Sequence, residues 1–407
     1  MRCARVPGGL LNTGRLVATH RQRIGAEPPT GELLISCLRL TARGGRMRSK
    51  MWKLATLTAT GFFVLALLLV GGGLAYRAYR HGVLAKATVI DPVHGIDDAL
   101  FTKIGGIDQW IGVRGQNRDN PVLLLLHGGP GIALSPMPRD FLFSWTRDFT
   151  IVFWDQRGAG KTFGRSGPVA AEVTKDRMAQ DGIEVAEFIR TRLGKSQIAI
   201  VAVSWGTAIG VRMAKARPDV FSLYVGSGQS VNQGKYRRLA YSQLLAEAHR
   251  RNDRQAIEEL EANGPPPYDS VSKATVHTKW ANRYEPGQLS RGRLISTVVF
   301  DSNASLTDLR DYVRGLTSSQ DHFREAVEQE DIPSLGTSFA IPFFVFQGAL
   351  DNVTPVAPVQ EYVDRVTAPQ KKLILIPNAG HNAIATRSDE FLKLLLEHIR
   401  PLALQSR

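Results

Sequence analysis

The sequence predicts an α/β domain built on a doubly wound, mostly parallel sheet, interrupted by an inserted helical subdomain and preceded by one N-terminal transmembrane helix. Three observations predict it. Short, continuous apolar blocks alternate with amphipathic helical patterns along most of the chain. Residues 230–338 break that alternation, being mostly polar with helical periodicity. A run of 23 residues without a charge, Leu54–Tyr76, lies ahead of both.

The chain has 407 residues, 43% of them hydrophobic, and a net charge of +14. That is enough apolar material for a sizeable core and excludes global disorder. The charge is uneven: residues 1–50 carry +8, residues 51–90 carry +4 and residues 91–407 only +2. The body has no electrostatic footprint for nucleic acid, and no nucleic-acid partner is expected. Cys3 and Cys37 both precede the apolar run. The body therefore cannot build a disulfide framework, a Cys-ligated zinc site or a thiol nucleophile.

Residues 1–46 are rich in Arg and Gly and show no periodicity; they read as a disordered or untranslated tail, since Met47-Arg-Ser-Lys-Met-Trp-Lys could itself begin a basic leader. Residues 47–81 read as an anchor with basic flanks. As a helix, Leu54–Tyr76 would span roughly 34 Å, enough for a hydrocarbon core of about 30 Å. Five basic residues before the run against three after it predict a cytoplasmic N-terminus and an exported body. The alternative is a secreted protein whose signal peptide is cleaved near Gly73-Leu74-Ala75, but the run is longer than a signal's apolar core.

Residues 82–229 and 339–407 supply the two parts of the core, with residues 230–338 as a helical cap between them. Val122–Leu126, Ile151–Trp154, Ile198–Val203, Leu223–Val225, Phe343–Phe346 and Leu373–Ile376 are continuous apolar blocks, as expected for strands buried on both faces. Val356, Val359, Val363 and Val366 mark one helical stripe, and Phe391, Leu394, Leu395 and Ile399 another. Within the insertion, Arg238–Glu261 reads as one long helix, Gly264-Pro265-Pro266-Pro267 as a breaker and Ile295–Phe300 as a short strand block.

Three motifs follow strand blocks. Ala202-Val203-Ser204-Trp205-Gly206 joins a strand to a helical pattern, the setting of a nucleophile elbow. Small residues two before and two after the serine let strand and helix approach; Ala202 stands where glycine is usual. His127-Gly128-Gly129-Pro130-Gly131 follows Val122–Leu126, and its glycines allow close approach to a substrate carbonyl. Asp155–Thr162 ends in GKT like a phosphate loop, yet Asp155 stands where that loop needs glycine. A structural loop is expected, with Asp155 and Arg157 tying neighbouring backbone and no helix running on toward Gly164 and Pro168.

Serine is a weak nucleophile at neutral pH and needs a base oriented by a third group. On open α/β sheets the acid and the histidine follow the serine in the chain. Asp351 follows Phe343–Phe346 and His381 follows Leu373–Ile376, both in loops at strand C-terminal ends. His127, Asp155 and Ser204 would form the chain order of β-barrel proteases, which this pattern does not fit. Asp301 is a rival acid inside the insertion. His398 falls on the last helix as a structural residue, and His249, His277 and His322 have no zinc spacing.

These residues resemble the proline-iminopeptidase-like branch of the α/β-hydrolases, a set of serine peptidases and esterase relatives. The resemblance rests on HGGPG at 127–131, DQRGAG at 155–160, VSWGT at 203–207, GALDNVTP at 348–355 and NAGH at 378–381. It implies an α/β-hydrolase core with a cap, a Ser204–His381–Asp351 triad and an oxyanion hole from the backbone N–H groups of Gly129 and Trp205. It further implies an acidic cap residue holding a substrate amine. Glu285, in Trp280-Ala281-Asn282-Arg283-Tyr284-Glu285, is the candidate, with different spacing; its plainer reading is a solvated helix-end carboxylate. The expected activity is hydrolysis of small peptide amides or esters through an acyl-enzyme, without metal or organic cofactor. The alternatives are a carboxylesterase, lactonase or amidase with the same triad, or a non-catalytic scaffold.

Overall fold

The computed structural model describes residues 31–137, 139–286, 292, 296–301 and 304–405. Two compact units emerge, Met1–Gly72 and Gly73–Arg407. Helix α1 covers Gly31–Ala87, and its stretch Met51–Ala87 is long and apolar enough to cross a membrane. Phe62, Phe63, Leu67, Leu68 and Leu69 are all exposed on it. Residues 1–30, most of the expected tail, lie outside the described residues, and residues 31–46, expected to be disordered, belong instead to helix α1.

The second unit is built on an eight-stranded sheet: β1 Ile96–Ile104, β2 Ile107–Gly115, β3 Val122–Leu126, β4 Thr150–Trp154, β5 Ile198–Val203, β6 Phe221–Ser227, β7 Phe343–Gly348 and β8 Lys371–Ile376. The spatial order is β1-β2-β4-β3-β5-β6-β7-β8. From β4 to β8 every pairing is parallel; β1 and β2 form an antiparallel hairpin that joins the sheet at β4. All six expected apolar blocks lie inside strands. One of them is less buried than a parallel interior requires: β8 is the sheet edge, and its Leu375 is exposed. The hairpin carries no continuous apolar block. Strand β1 alternates between covered and open positions, as an edge with one solvated face should.

Alternation along the inner strands splits the core in two. Ile198, Ile200 and Ala202 of β5 face one cluster with Met178 and Ile183 of α3 (Lys175–Leu193) and Met213 of α4 (Trp205–Ala216). Ala199 and Val201 face the other, with Trp145, Phe391, Leu395 and Ile399. The expected stripes divide between them: Val359, Val363 and Val366, along and just past the helix Val356–Arg365, join the first cluster, and Phe391, Leu395 and Ile399, along the C-terminal helical segments, the second. The short helix α2, Gly160–Ser166, forms where no helix was expected; it lasts seven residues before Gly167 ends it.

Between β6 and β7 lie α5 Gln233–Arg250, α6 Arg254–Asn263, α7 Val271–Tyr284 and α8 Leu306–Glu328. The expected single helix Arg238–Glu261 is two. Asn252 takes a left-handed conformation with φ 52°, and the Asp253 side chain then accepts from Ala256 N–H as a new N-cap. The expected strand Ile295–Phe300 is also corrected. Thr297–Asp301 is a wide π-type helical turn, and Ile295 lies outside the described residues. Its partners are helix side chains rather than a strand: Phe300 packs edge-on to Tyr76 at 5.3 Å, and Asp301 pairs with Arg80 at 2.7 Å. Helix α8 starts with a Ser305/Asp308 capping box and lies on the loops after β3 and β4. A Cβ at Gly131 would meet Leu316 Cα and Ser319 Cβ, and the Ser319 hydroxyl donates to Gly158 O at 2.9 Å.

Candidate active site

Strand β5 ends and α4 begins at Ser204, which is held at φ 52°, ψ −119°. A non-glycine residue persists there only when its surroundings fix it. Ser204 N–H donates to Ser227 O at 2.9 Å, and its carbonyl accepts from the Thr207 amide at 2.8 Å and hydroxyl at 2.6 Å. The small flanking residues have visible causes. A Cβ at Gly206 would collide with the Leu126 carbonyl. Ala202 is fully buried, and its methyl is accommodated because the facing residue is Gly210, where a Cβ would lie 3.1 Å from it.

Asp351 and His381 arrive from the next two strands. The turn after β7 wraps the Asp351 carboxylate with Val353 N–H at 2.9 Å, Thr354 N–H at 2.7 Å, Thr354 O–H at 2.7 Å and the Gln347 amide at 2.6 Å. His381, in the loop after β8, places Nδ1 3.0 and 3.1 Å from the two Asp351 oxygens and Nε2 2.9 Å from Ser204 Oγ. Burial works against a charged imidazole, but Asp351 and Glu285 more than offset it, so His381 is raised above its ordinary value.

The loop after β3 lies against the serine. A Cβ at Gly128 would sit 3.2 Å from Ser204 Cβ, and Gly129 adopts φ 115°, open only to glycine. Trp205 opens α4, so its N–H has no acceptor within the helix. His127 holds this loop to its neighbours. It lies between Gly128 O (2.9 Å from Nδ1) and Gln156 N–H (3.2 Å from Nε2), and the Gln156 side-chain oxygen Oε1 accepts from the Trp205 indole at 3.3 Å. Burial pushes His127 down to about 4, so it is a neutral brace rather than a base.

The Asp155 loop also braces. Its carboxylate accepts from the amides of Leu134, Ser135 and Lys161, and Arg157 donates to Gly105 O and Asp181. The rival groups stand elsewhere: Asp301 on Arg80, His398 beside Lys372 and Glu397, His277 on Tyr268, His322 on Val173 O, and His249 exposed near Glu261. Among the described residues no cluster of His, Cys, Asp and Glu could hold a metal ion.

Glu285 differs from its plainer reading. It sits at the end of α7 but is buried, not solvated. Its Oε2 accepts from His381 N–H at 2.9 Å and its Oε1 from Asn352 N–H at 3.1 Å. The motif reading also passed over Gln347 and Thr354, which grip Asp351, and Gln229, whose N–H donates to Gln347 Oε1 at 3.0 Å. The available signal was Gln347 itself, a polar residue closing the apolar block Phe343–Phe346.

The sequence profile of the alpha/beta hydrolase fold family matches residues 121–388. The chain belongs to the α/β-hydrolase family. Within it, the relatives point to the proline-iminopeptidase-like branch, and the protein is a hydrolase. The "Probable aminopeptidase YbaC" of Bacillus subtilis (strain 168) is 24% identical over 303 residues, covering 73% of this chain and 94% of the relative. The "Proline iminopeptidase" of Neisseria gonorrhoeae is 31% identical over 119 residues, covering 29% of this chain and 36% of the relative. A solved proline iminopeptidase from Mycobacterium smegmatis shares the fold with a TM-score of 0.55 at 17% identity, covering 76% of this chain and 100% of that one.

Proposed function

We propose that this hydrolase is a membrane-anchored serine hydrolase of small amide or ester substrates, acting through an acyl-enzyme, with a proline-iminopeptidase-like aminopeptidase as the leading activity. The observation that carries the reading is the continuous chain from Ser204 Oγ to His381 Nε2 at 2.9 Å and from His381 Nδ1 to Asp351 at 3.0 Å. In this reading His381 takes the Ser204 proton as Oγ attacks the carbonyl carbon. Asp351 fixes the tautomer and stabilises the imidazolium. The carbonyl oxygen becomes an oxyanion held by the N–H groups of Gly129 and Trp205, each worth roughly 2.7–4 kcal/mol in comparable sites. His381 then gives its proton to the leaving amine or alcohol. Water, activated by the same imidazole, attacks the acyl-serine and releases the acid, restoring Ser204.

A fluorophosphonate probe tests the reaction class: labelling of the wild type that disappears in Ser204→Ala supports it, and a folded wild type that resists the probe overturns it. A panel of aminoacyl arylamides and short aryl esters tests the substrate class. The esterase reading has its own support, because Glu285, the carboxylate expected to hold an amine, accepts from two backbone N–H groups instead. Anchoring is supported by the exposed apolar side chains of Met51–Ala87 and the flanking basic residues. A C-terminal reporter active only outside the cytoplasm supports the exported body, and activity only inside overturns it.

A further inference from the structure

Glu285 is carried by the cap, yet both its carboxylate oxygens are spent on core loops. One takes the N–H of His381 itself and the other the N–H of Asn352, the residue after Asp351. The two loops leave adjacent strands, β7 and β8. They also touch through Leu350 N–H to Ala379 O at 2.9 Å. Gly380 is moulded around the same side chain: a Cβ there would collide with Glu285 Cγ, Cδ and Oε2. A charged acceptor bridging two amides fixes their separation more strongly than neutral acceptors would. The residue is only 5% exposed, a poor position for meeting a solvated substrate amine.

We propose that Glu285 is a positioning residue, a strut from the cap that sets the spacing of the Asp351 and His381 loops and so the alignment of the imidazole with Ser204. This deepens the serine-hydrolase reading and rests on it. The charged groups bearing on His381 are Asp351, from the turn after β7, and Glu285, from the cap. In Glu285→Gln one acceptor oxygen becomes an N–H₂ group facing another N–H, so the bridge cannot close.

The test uses the full chain in detergent, with two substrates differing only in the presence of an α-amine, and a titration of the His381 ring by NMR on isotope-labelled histidine. For Glu285→Gln, kcat falls on the order of tenfold or more on both substrates alike, KM changes little, and the His381 midpoint moves to lower pH. The sign follows from the charge: a lost anion disfavours the imidazolium, so the proton leaves at lower pH. Gly380→Ala, which retains the carboxylate but displaces it, gives the same direction in both measurements and covers the case in which the first variant fails to fold. A loss confined to KM of the amine-bearing substrate, with the His381 titration unmoved, assigns Glu285 to substrate recognition and overturns the proposal. Unchanged kcat and titration in both variants overturns it as well. Should the wild type resist the fluorophosphonate, the hydrolase reading fails by that result, while the NMR titration still decides whether Glu285 governs His381.

Discussion

Ser204, Asp351 and His381 stand on loops rooted in a sheet whose inner strands are buried along most of their length. The helices at 233–328 carry an apolar cluster of their own, with Leu244, Leu260 and Trp280, while Tyr236 of α5 and Phe323 of α8 join the main core, Phe323 against Trp205 at 4.9 Å. On one side Gly315 and Ser319 of α8 touch the loops after β3 and β4; on the other Glu285 touches the loops after β7 and β8. Core positions are over-determined by ladders and packing. Glu285 meets its loops through two hydrogen bonds, so a change there should alter alignment before it alters the fold.

The sharpest separation comes from Ser204→Ala, which should cut turnover on the order of 10⁴-fold or more while leaving the thermal unfolding midpoint almost unmoved. A loss of folding instead would make the elbow serine a structural residue. Acid provides the next probe, because each region holds a buried histidine that burial pushes down to about 4, His127 in the core and His277 in the cap. Unfolded, each would bind its proton near the ordinary value of 6.5. The unfolded chain therefore binds more protons between those values, and stability falls as pH drops through that window. Urea unfolding at neutral pH and near pH 5 measures it, and His277→Gln should shrink the fall by the cap's share. Thr354→Val removes the hydroxyl donor to Asp351 at nearly constant volume and should lower kcat on the order of tenfold with little change in KM. The smallest effect is expected from Ser319→Ala, which severs the 2.9 Å bond to Gly158 O and should cost about 1 kcal/mol in denaturant titrations. A fall in kcat with unchanged stability would show that α8 also aligns the loop after β4.

What could be read in advance follows the same division. Buried parallel strands leave continuous apolar blocks, and the loops at their ends carry motifs with fixed chemistry, so the elbow, the glycine loop and the Asp351 and His381 positions were all visible in the sequence. The hairpin β1–β2 was not, because an edge with one solvated face alternates, and Asp97, Asp98 and Lys103 interrupt its pattern. The cap was legible only as helical. Its break at Asn252 depends on one left-handed residue, and Thr297–Asp301 has strand-like composition but finds helix partners. Glu285 was picked out from its neighbours, but its burial depends on two loops about 70 and 100 positions downstream, a separation no local pattern encodes.

Residues 230–338 look like a detachable module when the chain is read end to end. The two hydrogen bonds of Glu285 argue otherwise. Anyone trimming this protein to a minimal scaffold by splicing β6 directly to β7 would leave the amides of His381 and Asn352 without that acceptor, beside a hollow lined by Gly380. The shortened chain could keep its sheet and still lose its reactivity, because what was removed as an accessory also served as scaffolding for the parts that stayed.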